Sequence, residues 1–212
     1  MIKKQKKKFY VIPHSFDIKL YPKLPKINEK TQNPEIFIFR YLGRFYGNRF
    51  PLNLIEALKI IEKENIYIFK KIRVEIYGAQ NFLINLKFIK YKKYIKLMGP
   101  ISYTQSLYKM KTADFLLVID APFNYSVFFP SKLVDYIGSA KPVIGITPNG
   151  TAKKIIKKLG GYTLSYNDKK KLASQLIKIV EAGSSAKKVN NSFAKKFLNT
   201  NVGDLFLKTL EK

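Results

Sequence analysis

The sequence predicts an α/β chain, a Rossmann-like doubly wound parallel sheet. Three observations predict it. Short apolar runs of strand length recur along the chain. Each is followed by a stretch with helical spacing of about 8–15 residues. At least one run, Phe115–Ile119, has no polar alternation, which requires cover on both faces. About six such units suit an open sheet rather than a closed barrel, and ligands of open sheets bind outside the carboxyl ends of the strands.

The elements follow in order. Residues 1–34 are basic and carry Pro13, Pro22, Pro25 and Pro34, so they read as a lead-in or interdomain-like segment. Residues 35–185 hold the repeating units. The first strand ends at Gly43, and Pro51 sits in the first turn of a helix over 51–64 with Leu54, Ile55, Leu58 and Ile61 on one face. Arg73–Tyr77 is a strand closed by Gly78. Asn81–Tyr94 carries weaker helical spacing, and Tyr94–Met98 is a third strand closed by Gly99 and Pro100. Ser102 and Gln105 form a capping box ahead of a helix reaching Thr112. Phe115–Ile119 is the fourth strand. Pro130 opens a helix with Leu133, Val134 and Ile137 inward, which stops before Pro142. Pro142–Ile146 is the fifth strand, and Thr151 caps a helix that ends at Gly160 and Gly161. Tyr162–Ser165 is a sixth, short strand. Asp168 caps a helix ending at Gly183. Residues 186–212 hold a last helix, from about Ser192 to Leu198, and a tail.

Composition excludes some chemistry. The 212 residues include no cysteine, so disulfides, thiolate catalysis and thiolate metal sites are excluded. His14 is the only histidine, which leaves no histidine metal cluster. No apolar run approaches the ~18–20 residues of a membrane span. The opening residues lack the apolar stretch of a secretory signal. A cytoplasmic location is expected, with peripheral contact at the inner face of a membrane as an extension. The net charge of +26 comes from 40 basic against 14 acidic residues, and only four of the basic ones are arginine. Lysine as the default surface charge is one reading of that excess. Attraction to anionic lipid through Lys3, Lys4, Lys6, Lys7 and Lys8, or to nucleic acid, is another. No zinc-finger, GxxG or basic-zipper pattern accompanies the charge, so no specific nucleic-acid partner is expected.

The candidate site lies at the strand ends. Gly43, Arg44, Gly47 and Arg49 form the loop after the first strand, with half of the arginines in one turn. Glycines allow close backbone approach, and the next helix offers free N–H groups, a combination that suits a diphosphate or other anion. Neither a dinucleotide fingerprint nor a P-loop is present. Pro130 and Ser131 mark a helix start, Lys132 stands in its first turn where the helix dipole disfavours a cation, and Asp135 follows one turn on. Asn149 and Gly150 belong to a turn over Thr147–Thr151. Gly99 and Ser102 could present main-chain groups to a flat base. Asp114, Asp120 and Asp135 are the candidate carboxylates at the sheet end, with Asp120 positioning a ligand or steadying the loop Ala121–Phe129.

Taken in order, VIPHSFD at 11–17, YLGRFYGNR at 41–49, VEIYG at 74–78, the stretch 98–119 and FPSKLVDYIGSAKPVIG with its continuation to 156 resemble a known pattern. It is that of the C-terminal, nucleotide-sugar-binding half of GT-B glycosyltransferases of the retaining group-1, family 4-like class. The resemblance covers about residues 11–182. It implies one GT-B half, with the acceptor domain absent from this chain, and leaves three origins open: a separately encoded acceptor partner, a truncated or split gene product, or an excised domain. It implies that Arg44 and Arg49 hold the donor diphosphate, that Gly99–Ser102 seats the base, and that the start of the helix at Pro130–Lys132 lies near the phosphates. Asp135 would contact the ribose, where the family usually has glutamate. The first glutamate of the family's Glu-x7-Glu pair falls at Val127, so that pair is incomplete. The implied donor is a nucleoside-diphosphate sugar, with no obligatory cofactor or metal. The catalytic residue is not assigned. A catalytically incompetent remnant, an accessory subunit, a basic nucleic-acid-binding protein and a different doubly wound enzyme acting on a phosphorylated small molecule are the alternatives.

Overall fold

A computed structural model describes residues 9–23, 35–46, 49–183 and 189–211. Gly47, Asn48 and the lysines at 3–8 lie outside them. Among the described residues, six strands form one parallel sheet: β1 (Phe37–Leu42), β2 (Ile72–Tyr77), β3 (Lys96–Gly99), β4 (Phe115–Ile119), β6 (Val143–Ile146) and β8 (Tyr162–Leu164). Their spatial order is β3-β2-β1-β4-β6-β8, all neighbours parallel. The order reverses between β1 and β4, which is where a doubly wound sheet opens a crevice.

The alternation of side chains shows why helices must cover both faces. Along β4, Phe115, Leu117 and Ile119 enter one core while Leu116 and Val118 enter the other. The first core takes α1 (Leu52–Glu64), α2 (Ile66–Lys70), α3 (Phe82–Ile89) and α7 (Lys169–Ala182). The second takes α4 (Tyr103–Lys111), α5 (Lys132–Ser139) and α6 (Thr151–Lys158). It also takes α8 (Asn191–Ala194), the 3-10 turn Lys195–Phe197, and Phe16 and Tyr21 from the leading segment. Phe16 bridges to Leu198, ahead of a final helix α9 (Asn199–Leu210). The tail after Leu198 is therefore helical, and Val202 is its buried anchor.

Local details refine the sequence reading. The capping box forms at Ser102 and Gln105, and Asp168 accepts from the Lys171 N–H. Asn81 caps α3, which stops at Ile89 instead of running to Tyr94. Pro51 stands one residue before α1, and α5 begins at Lys132, two residues after Pro130. Thr151 does not cap α6. It is the first helical residue, and Gly150 takes the cap position. The turn over Thr147–Thr151 contains a short strand instead: β7 (Asn149–Gly150) pairs in parallel with β5 (Tyr125–Ser126). Asp114 is not at the carboxyl end of the sheet. It precedes β4, and its carboxylate accepts the Ile38 N–H at 2.8 Å near the start of β1. No described helix is long and apolar enough to cross a membrane.

One buried ion pair crosses the sheet. Arg40 Nε donates to Glu75 at 2.8 Å, and its Nη1 donates to both the Thr112 hydroxyl and the Lys109 carbonyl. Two charges removed from water need such full pairing.

Candidate functional site

The site is assembled where β1 ends. Gly43 has φ +141°, and its N–H donates to Tyr77 O at 2.8 Å. Gln80 then clamps the loop: its amide donates to Gly43 O at 3.0 Å and accepts from Phe45 N–H at 2.8 Å. Phe45 stacks on Tyr41, ring centroids 4.1 Å apart, and buries the loop's base. Gly78, φ +126°, makes the close approach possible, since a Cβ there would lie 2.7 Å from Gly43 O. Gly78, which the sequence reading places only at the close of a strand, is interlocked with Gly43. Gln80 carries no sequence signal beyond being polar three residues past a strand end.

Three cations gather on this loop and the facing helix. Arg44 is exposed, and only its carbonyl is engaged, by the Tyr41 hydroxyl at 3.2 Å. Arg49 is largely buried. Its guanidinium lies over the Tyr46 and Phe128 rings, 4.4 and 4.2 Å from their centroids, with Nε 3.2 Å from Asp120. Lys132 extends from the start of α5 to sit beneath Gly43, Nζ 3.7 Å from the centroid of Tyr41. Burial pushes the Lys132 ammonium down to about 7, and the Arg49 charge pushes the same way. No carboxylate pairs with Lys132 among the described residues. The result is a recess with positive charge in excess of its counter-charge.

Asp120 supplies that counter-charge and steadies the next loop. It accepts from Ala121 N–H and from the Ser126 hydroxyl, each at 2.8 Å, in addition to its pairing with Arg49. Ser126 leads to β5 and so to β7. Gly150, φ +148°, allows this pairing because a Cβ would coincide with Ser126 O. Asn149 is exposed and accepts from Lys153 at 3.0 Å. The loops after β4 and β6 are thus tied together beside the cation cluster.

On the other side, α5 is fixed to the end of β1 by Tyr136, whose hydroxyl accepts the Leu42 N–H at 2.9 Å. Pro130 O and Ser131 O take the N–H groups of Leu133 and Val134, which tightens the helix start, while the Ser131 side chain caps nothing. Asp135 accepts from the Tyr103 hydroxyl at 3.0 Å, and its main-chain oxygen accepts from Tyr21. Burial raises the Asp135 carboxyl above its ordinary range, and the Tyr103 hydrogen bond opposes that shift. Ser102 is spent on the capping box, its hydroxyl accepting from Gln105 and its N–H donating back. Gly99 accepts from Gly78 N–H at 2.9 Å, which links the third strand's turn to the Gly43 loop. Val127, 80 % exposed, stands on the loop beside the site with no polar function to offer.

The structure therefore gathers Gly43, Arg49 and Lys132 into one cluster, with Arg44 on its rim. Asp135 lies one helical turn farther on, and Gly99, Ser102, Asn149 and Gly150 frame the neighbouring loops. A cavity of about 320 Å³ opens at the same end, against the start of α1, Ile119, Asp120, Ile146 and Tyr166. Lys132 and Asp135 do not line it. Tyr41, Gln80, Tyr103 and Ser126 are the parts that local sequence patterns did not disclose. Among the described residues, no three His, Cys, Asp or Glu side chains gather to hold a metal ion.

The fold is that of one half of a GT-B protein. The Anabaena protein HepE, solved with UDP and glucose, superposes with a TM-score of 0.71 at 16 % identity over 95 % of this chain and 56 % of that one. Sucrose-phosphate synthase from Thermosynechococcus elongatus gives 0.66 at 16 % identity over 94 % and 52 %. The C-terminal domain of LpcC, a group-1 family glycosyl transferase from Francisella tularensis, gives 0.55 at 14 % identity, with 91 % of this chain and 97 % of that domain covered. The chain thus spans little more than half of the longer proteins and nearly all of the isolated domain. At these identities the likeness is one of fold. No family model matches the sequence. No curated protein matches it either.

Proposed function

We propose that this chain is the donor-binding half of a glycosyltransferase that uses a nucleoside-diphosphate sugar. The observation that carries the reading is the under-compensated cation cluster of Arg44, Arg49 and Lys132 at the switch point of the sheet, beneath a glycine loop. A diphosphate matches it in charge and in its demand for several donors. Asp135 takes the ribose hydroxyls, with Tyr103 orienting its carboxylate. Gly99–Ser102 borders the base, and Asn149 and Gly150 border the sugar side.

In the transfer, the bond between the sugar's anomeric carbon and the diphosphate oxygen breaks and the diphosphate leaves with the electron pair. An acceptor hydroxyl forms the new glycosidic bond, and its proton passes to the departing diphosphate oxygen. The three cations and the start of α5 stabilise the charge that develops on the leaving oxygen. The acceptor and a second domain complete the reaction, and retention of configuration follows the group-1 resemblance. Solved proteins of the same fold carry UDP with glucose, UDP, or UDP-glucose, which favours a uridine donor as the first to try.

Isothermal titration with UDP, GDP and UDP-sugars at moderate salt tests the reading. Saturable binding of one nucleotide diphosphate, weakened about tenfold or more in Arg44→Ala, is expected, since a charge-assisted contact contributes about 1.5–3 kcal/mol. No binding by a folded chain at millimolar nucleotide overturns it.

A further inference from the structure

A second surface, remote in kind from the donor site, is unusual in what it leaves in water. Helix α3, Phe82–Ile89, has apolar residues at six of its eight positions. Ile84 and Phe88 satisfy the core. Phe82, Leu83, Leu86 and Ile89 point outward, 72, 68, 48 and 62 % exposed. At 100° per residue these four, together with Lys90, share the face opposite Ile84 and Phe88. A helix that is apolar all round is ordinarily buried on all sides, and this one is covered on one side only.

The charge carried by the segment that contains it has one sign. Between Glu75 and Asp114 the sequence contains no acidic residue and seven lysines. Lys90, Lys92 and Lys96 are exposed and form no ion pair among the described residues, whereas Lys93 pairs with Glu62. The adjoining edge strand β3 exposes Leu97 and Met98. Helix α9 gives an internal contrast. It also exposes Leu205, Phe206, Leu207 and Leu210, but Asp204 and Glu211 accompany them.

We infer that the outer face of α3 docks on an anionic lipid surface, with Phe82, Leu83, Leu86 and Ile89 entering the headgroup boundary and Lys90, Lys92 and Lys96 contacting lipid phosphates. Apolar insertion and a basic rim are the two signals that reversible membrane attachment needs together. Lysine stems lie along the apolar surface while their ammonium groups reach the headgroups. A nucleic acid would use the lysines and leave four apolar side chains unexplained. A protein partner would have to answer a surface with no acidic residue of its own. The inference does not depend on nucleotide binding. It would, however, place the loop after β2, and with it Gln80 and the Gly43 loop, next to the lipid, because α3 begins four residues beyond that strand.

The chain contains no tryptophan, so a single one reports its own position. Full-length Leu86→Trp is mixed with vesicles of phosphatidylcholine alone and of phosphatidylcholine with phosphatidylglycerol, at moderate salt. The expected result is a blue-shifted emission and quenching by brominated acyl chains with the anionic vesicles only. Phe206→Trp on α9 is expected to remain water-like in the same mixtures. In vesicle sedimentation, Leu86→Asn/Ile89→Asn is expected to lower the partition coefficient about tenfold or more, from the apolar area withdrawn. A Lys90→Gln/Lys92→Gln pair is expected to lower it by about fivefold per lysine on the anionic vesicles. Each variant's UDP titration is run beside it, so loss of lipid binding with nucleotide binding unchanged separates this surface from the donor site. Sedimentation with no spectral change at position 86 would mean attraction by net charge alone and overturns the inference. So does a shift at position 206 instead, or a vesicle-independent shift at 86 that grows with protein concentration, which would assign the face to a second copy.

Discussion

Lys132→Met separates stability from ligand binding at the proposed donor site. The Lys132 ammonium is held under Gly43 against the Tyr41 ring with its ordinary value of 10.5 lowered to about 7. Below about pH 7 the lysine is protonated in the folded and unfolded chain alike, and the whole cost of burying the charge is present. From about pH 7 to 10.5 the unfolded chain keeps a proton that the folded chain has lost, so stability rises with pH by up to about 1.4 kcal/mol per unit. The full depression sets a ceiling of roughly 5 kcal/mol. Methionine fills similar space but forfeits the contact of the cation with Tyr41, about 0.5–2 kcal/mol. Lys132→Met is therefore expected to be more stable than the parent by about 2–3 kcal/mol near pH 6, with the gap closing as pH rises toward 10. Urea denaturation of the two chains across that range measures it. UDP binding is expected to move the other way, weakening in the variant. The parent should take up close to one proton on binding UDP near pH 8, which calorimetry in buffers of differing ionisation heat detects. A variant that is less stable at every pH, with a constant gap, would refute the placement of a discharged lysine under the loop.

Gly78→Ala is expected to cost about 2–4 kcal/mol and to weaken UDP binding, because its Cβ meets the Gly43 carbonyl at 2.7 Å in a positive-φ conformation; thermal melts and titration read the two effects. Arg40→Met leaves Glu75 buried without its partner and is expected to destabilise by about 3–5 kcal/mol in denaturant titration, with more of the loss recovered in Arg40→Met/Glu75→Gln than independent effects allow. Thr147→Val is expected to be neutral or stabilising by about 1 kcal/mol, since the buried Thr147 hydroxyl has no hydrogen-bond partner among the described residues; a loss above about 2 kcal/mol would mean the hydroxyl is satisfied in solution.

What the sequence made legible was local. The unbroken apolar run Phe115–Ile119 is too short for a helix of ordinary length and reads as a strand covered on both faces, and Ser102 with Gln105 can cap a helix without help from elsewhere. The Gly43 loop and the start of α5 were legible because ligands of doubly wound sheets bind at strand ends. Their joining was not. Tyr136 meets Leu42 across 94 positions, and Gln80 meets Phe45 across 35, and no periodicity encodes such a bond. Asp114 was misplaced against the order of the chain itself: it directly precedes the strand Phe115–Ile119, so it stands at that strand's amino end, away from the ligand side of the sheet. The cap of α6 moved from Thr151 to Gly150 because the β5–β7 pairing holds Gly150 in a conformation open chiefly to glycine, which a turn motif alone does not reveal.

Three cations within one loop cluster would repel each other, and the protein holds each in a different way. Arg44 remains in water, where its charge costs little. Arg49 lies between two aromatic rings and shares the Asp120 carboxylate with two hydrogen-bond donors. Lys132 is shielded from most of the water, pairs with no carboxylate among the described residues, and responds by giving up its proton readily. Under the function proposed above, an arriving diphosphate would change all three at once: it would draw in Arg44, compete with Asp120 for Arg49, and make the protonated form of Lys132 favourable. The second effect bears on the loops. Asp120 also holds Ser126, and Ser126 belongs to the β5–β7 bridge that fixes Asn149 and Gly150. Weakening the Arg49–Asp120 pair therefore reaches the loops after β4 and β6 through a single carboxylate. Asp120→Asn keeps both neutral hydrogen bonds within reach and removes only the charge. It is expected to tighten UDP binding about threefold to tenfold by freeing Arg49, at a cost in stability of about 1–2 kcal/mol. A variant that binds UDP more weakly while melting at the parent's temperature would show that Asp120 orients Arg49 for the ligand instead of competing for it.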